Sequence, residues 1–278
     1  MSGDEFAHRS VVVTGAASGI GEATAEAFVR AGAHTLLIDL DHERLCRVRQ
    51  RLTELEGAAE VSAVSLDVSD SDRVADALQK TAAARGGIHH LVNVAANFTA
   101  AGVHATRSEW ARSLDVNVVA TAMLTASASE WMPPGSSVVN IASISAHVAQ
   151  ADRWTYNATK AAVLALTRGQ ALDFATRGIR VNSVSPGWIW TAEVARAADG
   201  DRATWEPVWG KFHMLGRLGE PSEVADAVLF LSSNRASFIT GTELMVDGGY
   251  SAMGPEATGE TTKFSGTDAR SSAPRHRV

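Results

Sequence analysis

Tyr156 and Lys160 stand four residues apart in Tyr156-Asn157-Ala158-Thr159-Lys160, and on a helix that spacing puts both side chains on one face. A phenol with an ordinary pKa of about 10 is a poor base at neutral pH. An ammonium roughly 5 Å away, at an effective dielectric of about 20, contributes around 3 kcal/mol, or some two pKa units toward the working range. Such a pair is suited to moving a proton on and off a ligand oxygen. Ser143, thirteen residues before the tyrosine, adds a hydroxyl at the expected end of a strand.

A second chemical signal lies near the start of the chain. The segment Val12-Val13-Thr14-Gly15-Ala16-Ala17-Ser18-Gly19-Ile20-Gly21 leaves a strand pattern and enters the helical pattern Glu22 to Arg30. Gly15 allows a tight turn, Gly19 lets backbone approach a phosphate, Gly21 permits close helix–strand contact, and the amides from Ser18 through Ile20 open the helix. This is the pattern of a dinucleotide loop. The next strand ends at Asp39, eighteen residues after Gly21, where a carboxylate bonds ribose hydroxyls and repels a 2′-phosphate. Neither Ser18 nor Leu40 supplies a cation for that phosphate, so the expected cofactor is NAD. Two further strand ends fit the same site: Leu66-Asp67-Val68, with the Asp67 carboxylate against the adenine amino group, and Asn93-Val94-Ala95-Ala96, beside the nicotinamide ribose.

Thr14-Gly15-x-x-x-Gly19-x-Gly21, Asn93-x-Ala95, Asn117, Ser143, Tyr156-x-x-x-Lys160 and Pro186-Gly187 occur in the order of the short-chain dehydrogenase/reductase family. The ending Phe238-Ile239-Thr240-Gly241 with Val246-Asp247-Gly248-Gly249 also resembles that family, and the likeness runs from about Ser10 to Ala252. The resemblance implies that Tyr156 is the general acid/base on a substrate hydroxyl and that Ser143 hydrogen-bonds the same oxygen. It further implies that Lys160 binds the nicotinamide ribose and lowers the Tyr156 pKa, and that Asn117 holds a water linking Lys160 to solvent. Pro186, Gly187, Ile189 and Thr191 are expected along the nicotinamide carboxamide. Ala96 departs from the family's usual glycine, placing a methyl group where the ribose approaches. The activity implied is hydride transfer between NAD and a secondary alcohol, with a 3-oxoacyl-thioester reductase and an idle dinucleotide sensor as the alternatives. Relatives of this length usually assemble as homotetramers, which is the expected state.

These groups need a scaffold that brings strand ends together. β-Branched runs at 11–13, 35–38, 61–66, 88–94, 137–142, 180–184 and 243–246 alternate with longer helical patterns. Repeated β-α-β order predicts one α/β domain over 1–251, a Rossmann-like, doubly wound parallel sheet with ligands beyond the carboxyl ends of its strands. Trp188 to Leu218 breaks the rhythm and reads as a helical flap. Four of the seven tryptophans (Trp188, Trp190, Trp205, Trp209) fall in it, predicting an apolar wall for a cyclic alcohol or sugar. Trp154, Phe98, His147 and Gln150 are expected on the opposite side. Residues 252–278, poor in large apolar groups, are expected to form a mobile tail.

Composition narrows the class further. A net charge of −6 disfavours nucleic acid and anionic membrane as partners, leaving a small-molecule substrate. There is no signal-peptide pattern and no long apolar run, and the single cysteine, Cys46 on a helical pattern, fits a reducing compartment, so a cytoplasmic location is expected. The nine histidines show no metal-ligand spacing, so no metal is expected, and His89 and His90 read as solvated.

Overall fold

The computed structural model describes residues 5–255 and residue 257. Seven strands form one parallel sheet: β1 Ser10–Thr14, β2 His34–Asp39, β3 Val61–Ser65, β4 His90–Asn93, β5 Ser137–Ile141, β6 Arg180–Pro186 and β7 Glu243–Val246, in the order β3-β2-β1-β4-β5-β6-β7. The order reverses between β1 and β4, and the crevice beyond the carboxyl ends at that point is where such sheets bind ligands. Strand alternation divides the core into two layers. Val11, Val13 and Leu37 pack with α1 (Gly19–Arg30) and α9 (Pro221–Ser232) on one face. Val12, Leu36 and Ile38 pack with α3 (Ser71–Arg85) and α5 (Ala120–Ser129) on the other. Cys46 lies exposed on α2 (His42–Thr53).

Between α4 (Arg107–Leu114) and α5 the helix passes through a five-residue π turn, Asp115–Val119, which carries the buried Asn117. The long α6 (Trp154–Ala175) buries Tyr156 and Lys160 in its first two turns. It is tied to the sheet by Asn140, whose Nδ2 donates to Thr167 Oγ1 and Gln170 Oε1, each at 3.0 Å. The 188–218 segment contains two short helices, α7 (Ala192–Ala197) and α8 (Arg202–Gly210). The expected mobile tail lies almost wholly outside the described residues. Among those described, no helix is long and apolar enough to cross a membrane, and no cluster of His, Cys, Asp or Glu could hold a metal.

His90 corrects one expectation, because it is buried rather than solvated. Its ring lies edge-on to Phe6 at 5.3 Å, stacks on Phe28 at 6.1 Å, and shares a 2.9 Å hydrogen bond with Ser137 Oγ. Burial, helped by repulsion from His89, Arg9 and Arg180, pushes its pKa down to about 3. The folded protein therefore holds it neutral while the unfolded chain takes up a proton below its ordinary value near 6.5. The stability it contributes is complete above about pH 6.5 and falls, on the order of 4 kcal/mol, as pH drops toward 3. Urea titrations across that window are expected to show this slope, and His90→Gln should flatten it; an unchanged slope in the variant would place the acid sensitivity elsewhere.

Candidate active site

One cleft of about 570 Å³ opens beyond the strand ends, with the glycine loop at one end and the first turn of α6 at the other. The loop leaves β1 at Thr14, whose Oγ1 accepts from the amides of Val94 and Ala95 at 3.0 and 3.1 Å, so the ends of β1 and β4 are clasped together. Gly15 has φ +64°, and a Cβ there would meet Ala95 N at 2.9 Å. At Gly21 a Cβ would fall 2.0 Å from Gly15 O, which forbids any side chain. Ser18 caps α1 without a side-chain hydrogen bond, so the first helical amides face the cleft with no partner of their own.

Asp39 braces this loop. Its Oδ2 accepts from Ala17 N and its Oδ1 from Asp41 N, both at 2.9 Å. Each oxygen keeps a further lone pair for another donor, and the carboxylate lines the cleft. A bare glycine cradle, a helix N-terminus and a carboxylate at the second strand end fit a nicotinamide dinucleotide.

At the other end Tyr156 is buried beside Ser143, whose hydroxyl favours ionisation of the phenol, and its ring stacks on Phe98 at 5.7 Å. Ser143 Oγ also accepts from Ser145 N at 3.1 Å, which fixes its rotamer. Lys160 Nζ sits 5.6 Å from the centre of the tyrosine ring and donates to Ile141 O at 2.8 Å. The expected lowering of the phenol pKa by this lysine does not occur. Burial pushes Tyr156 up to about 12 against the pull of Ser143 and Arg153, and the same burial pushes Lys160 down to about 8. Taking the groups out of water is the largest cause of both shifts.

Of the residues read from sequence, Gly15, Ser18, Gly19, Ile20, Gly21 and Asp39 line the cleft at the loop end. Ala95, Pro186, Gly187, Ile189 and Thr191 line its middle, and Ser143, Gln150, Tyr156, Lys160 and Trp188 its far end. Ala96 also faces the cleft, and the next residue, Asn97, is held by Asn117: Asn97 N donates to Asn117 Oδ1 at 2.6 Å. Asn117 Nδ2 donates to Asn97 O and to Thr159 Oγ1, both at 3.0 Å. Its side chain thus joins the loop after β4 to the helix of Lys160.

Other residues fall elsewhere. Asp67 is engaged by Arg112 at 2.8 Å and by Ser69 Oγ at 2.7 Å; burial opposes its ionisation, but these partners hold it down at about 2. The clasp fixes this carboxylate at the surface, and Asp67 is not among the residues lining the cleft. Val68 packs against the core below that clasp, and Leu40 points into solvent. Asn93 turns inward, its Nδ2 donating to Asn140 Oδ1 and Thr125 Oγ1. His147 lies on the rim, its Nε2 2.7 Å from Glu243 Oε1, so it does not line the cleft; nor does Trp154, which is exposed. The four flap tryptophans do not form a common wall either. Only Trp188 faces the cleft, with Trp209 5.2 Å behind it, Trp205 stacked on Trp209, and Trp190 covered by Arg202. Sequence reasoning missed Arg153, which lines the cleft one residue before α6, with its Cζ 5.7 Å over the Trp188 ring. Its place next to the tyrosine motif was the available signal.

A switch-point cleft with a glycine cradle at one end and a buried tyrosine–lysine–serine group at the other defines an oxidoreductase of the dinucleotide-binding class. The family model described as "Enoyl-(Acyl carrier protein) reductase" matches residues 15–251. The cis-4-hydroxycyclohexanecarboxylate dehydrogenase of Sinomonas cyclohexanicum is 38% identical over 255 residues, covering 90% of this chain and 100% of that one. The cyclohexanol dehydrogenase of an Acinetobacter strain is 32% identical over 262 residues, covering 90% and 97%. Among solved structures, the ligand-free aldohexose dehydrogenase of Thermoplasma acidophilum superposes with a TM-score of 0.81 at 34% identity, covering 91% of this chain and 97% of its own. The chain belongs to the short-chain dehydrogenase/reductase family.

Gly21 gives a direct check on the loop geometry. Gly21→Ala forces the α1 N-terminus away from Gly15, so dinucleotide binding, followed by quenching of tryptophan fluorescence, should weaken by at least tenfold while the far-ultraviolet circular dichroism is retained. Unaltered binding would show that the cradle is not the phosphate site.

Proposed function

We propose that this protein is an NAD-dependent dehydrogenase of a cyclic secondary alcohol, working through Tyr156 at the closed end of the cleft. The observation that carries the reading is the convergence of Tyr156, Ser143 and Lys160 in a water-poor pocket, reached from the glycine loop along one continuous wall. The first amides of α1 would hold the pyrophosphate and Asp39 the adenosine ribose hydroxyls, where its charge disfavours a 2′-phosphate. Gly187, Ile189 and Thr191 would flank the nicotinamide. When bound, the dinucleotide supplies the acceptor for the hydride that leaves the carbinol carbon.

The protein's own residues manage the proton. Tyr156 takes it from the substrate hydroxyl while Ser143 donates to the same oxygen, steadying its developing charge. Lys160 presents its ammonium beneath them, and its departure from Ile141 O toward a ribose hydroxyl would turn a structural hydrogen bond into a cofactor contact. Asn117 acts as a positioning residue through Asn97 and Thr159. Phe98 and Trp188 offer the two apolar faces that favour a ring over a flexible chain. The relatives that act on cyclohexane rings support this substrate class.

A homotetramer is part of the same proposal. Ala161 and Ala165 line the solvent face of α6 together with Leu172, which is 77% exposed, and Met123 lies exposed on α5. Apolar area of this kind on two long helices suits contact with a second copy. Light scattering at micromolar concentration should give four chains; a monomer would refute it.

The functional test is NADH formation over cyclohexanols, polyols, sugars, hydroxysteroids and acyl thioesters. Turnover is expected with ring alcohols and NAD, lower with NADP at equal concentration. It should rise through the alkaline range, because a phenol held near 12 must first lose its proton. Tyr156→Phe should leave less than about a tenth of kcat with NAD binding nearly intact. Activity confined to linear alcohols or acyl thioesters, or higher with NADP, would overturn the reading.

A further inference from the structure

Resting on that reading, we infer that the ring alcohol carries a carboxylate, bound by Arg153 across the substrate ring from the reacting hydroxyl. Arg153 lies at the N-cap of α6, three residues before Tyr156, and lines the same cleft end as Gln150, Trp188 and Tyr156. Its guanidinium sits over the indole of Trp188 rather than against an acid. Among the described residues it makes no ion pair.

Each of the other charges of the cleft has a partner within the protein. Lys160 donates to Ile141 O, Glu193 pairs with Arg196 on α7, and Asp39 is held by two amides at the far end. Asp152, next in the chain, is exposed with its side chain against Gly102. Among the described residues Arg153 is therefore the cleft cation whose donors make no hydrogen bond or ion pair, and its planar fork matches a carboxylate with two parallel hydrogen bonds. Arg153 and Tyr156 line the same end of the cleft, so both can face one ligand. The indole holds the guanidinium in place and lowers the entropy cost of fixing it. A ring held between Phe98 and Trp188, with its hydroxyl at Tyr156 and Ser143, would meet this cation at a distal substituent. Alicyclic hydroxy acids such as hydroxycyclohexanecarboxylates satisfy both ends, whereas a neutral sugar or plain cyclohexanol leaves Arg153 unmatched.

The experiment compares kcat/KM for 3- and 4-hydroxycyclohexanecarboxylate with that for their methyl esters and for cyclohexanol, all with the wild-type protein and NAD. The ester keeps shape and removes charge. At least one acid should be favoured over its ester on the order of ten- to a hundredfold, the size of a charged hydrogen bond, mainly through KM and less so at high salt. Arg153→Gln should shrink that acid-to-ester ratio by at least tenfold, with Arg153→Lys retaining part of it. Equal use of acid and ester by the wild type, or an unchanged ratio in Arg153→Gln, sinks the carboxylate inference while leaving the ring dehydrogenase intact. Failure of all ring alcohols, charged or neutral, removes both.

Discussion

The fold's chief constraint is the removal of Tyr156 and Lys160 from water. A phenol and an ammonium are both costly to bury, and the two pay that cost in opposite directions: the tyrosine is held as its neutral acid and the lysine is pushed toward losing its charge. Neither shift is tolerable unless the surrounding backbone is rigid enough to keep solvent out. α6 is accordingly tied along its length, by Lys160 itself to Ile141 O and through Asn117 to Thr159 in its first two turns, and through Asn140 to Thr167 and Gln170 further on. Each tie joins the helix to a strand end or to the chain that follows one, so the topology of the sheet is what makes the burial possible.

The opposite end of the cleft rests on a different device. There the chain offers backbone rather than side chains, and glycine keeps it bare. Thr14 and Asp39 occupy the places where hydroxyl and carboxylate can hold a loop of free amides without filling it. A helix terminus and a buried acid–base pair thus face each other across one crevice, the first attracting anionic phosphate and the second excluding water. Specificity falls between them, where Phe98, Trp188 and Arg153 are set by loops and helix ends rather than by the sheet.

That division explains what the sequence discloses. Strands and crossover helices announce themselves by local periodicity, and all seven strand positions coincide with the observed ones to within a few residues. Gly15, Gly19, Gly21 and the Tyr156–Lys160 pair are legible because their spacing is contained within one turn or one loop. What escaped depends on partners distant in the chain. Arg112, forty-five residues on, engages the Asp67 carboxylate, Glu243 engages the His147 ring, and Asn140 engages Asn93. The tryptophan-rich flap was visible, but nothing in its order says that Trp205 and Trp209 stack behind Trp188 instead of beside it. The tyrosine pKa failed for a related reason: a pairwise charge argument cannot see how deeply both partners are buried.

The π turn at Asp115–Val119 has a consequence for how this chain can vary. A single π turn is an α-helix with one residue too many, and each residue advances an α-helix by about 100°. α4 and α5 are therefore out of phase by that amount, and the surplus residue turns Asn117 toward Asn97 and Thr159. Deleting one residue here would give a straighter helix with more regular hydrogen bonding, and would swing the carboxamide a quarter-turn or more from its partners. The segment is one where local regularity and the aim of a single side chain are in conflict, and lineages descending from this chain should preserve its length more strictly than its composition.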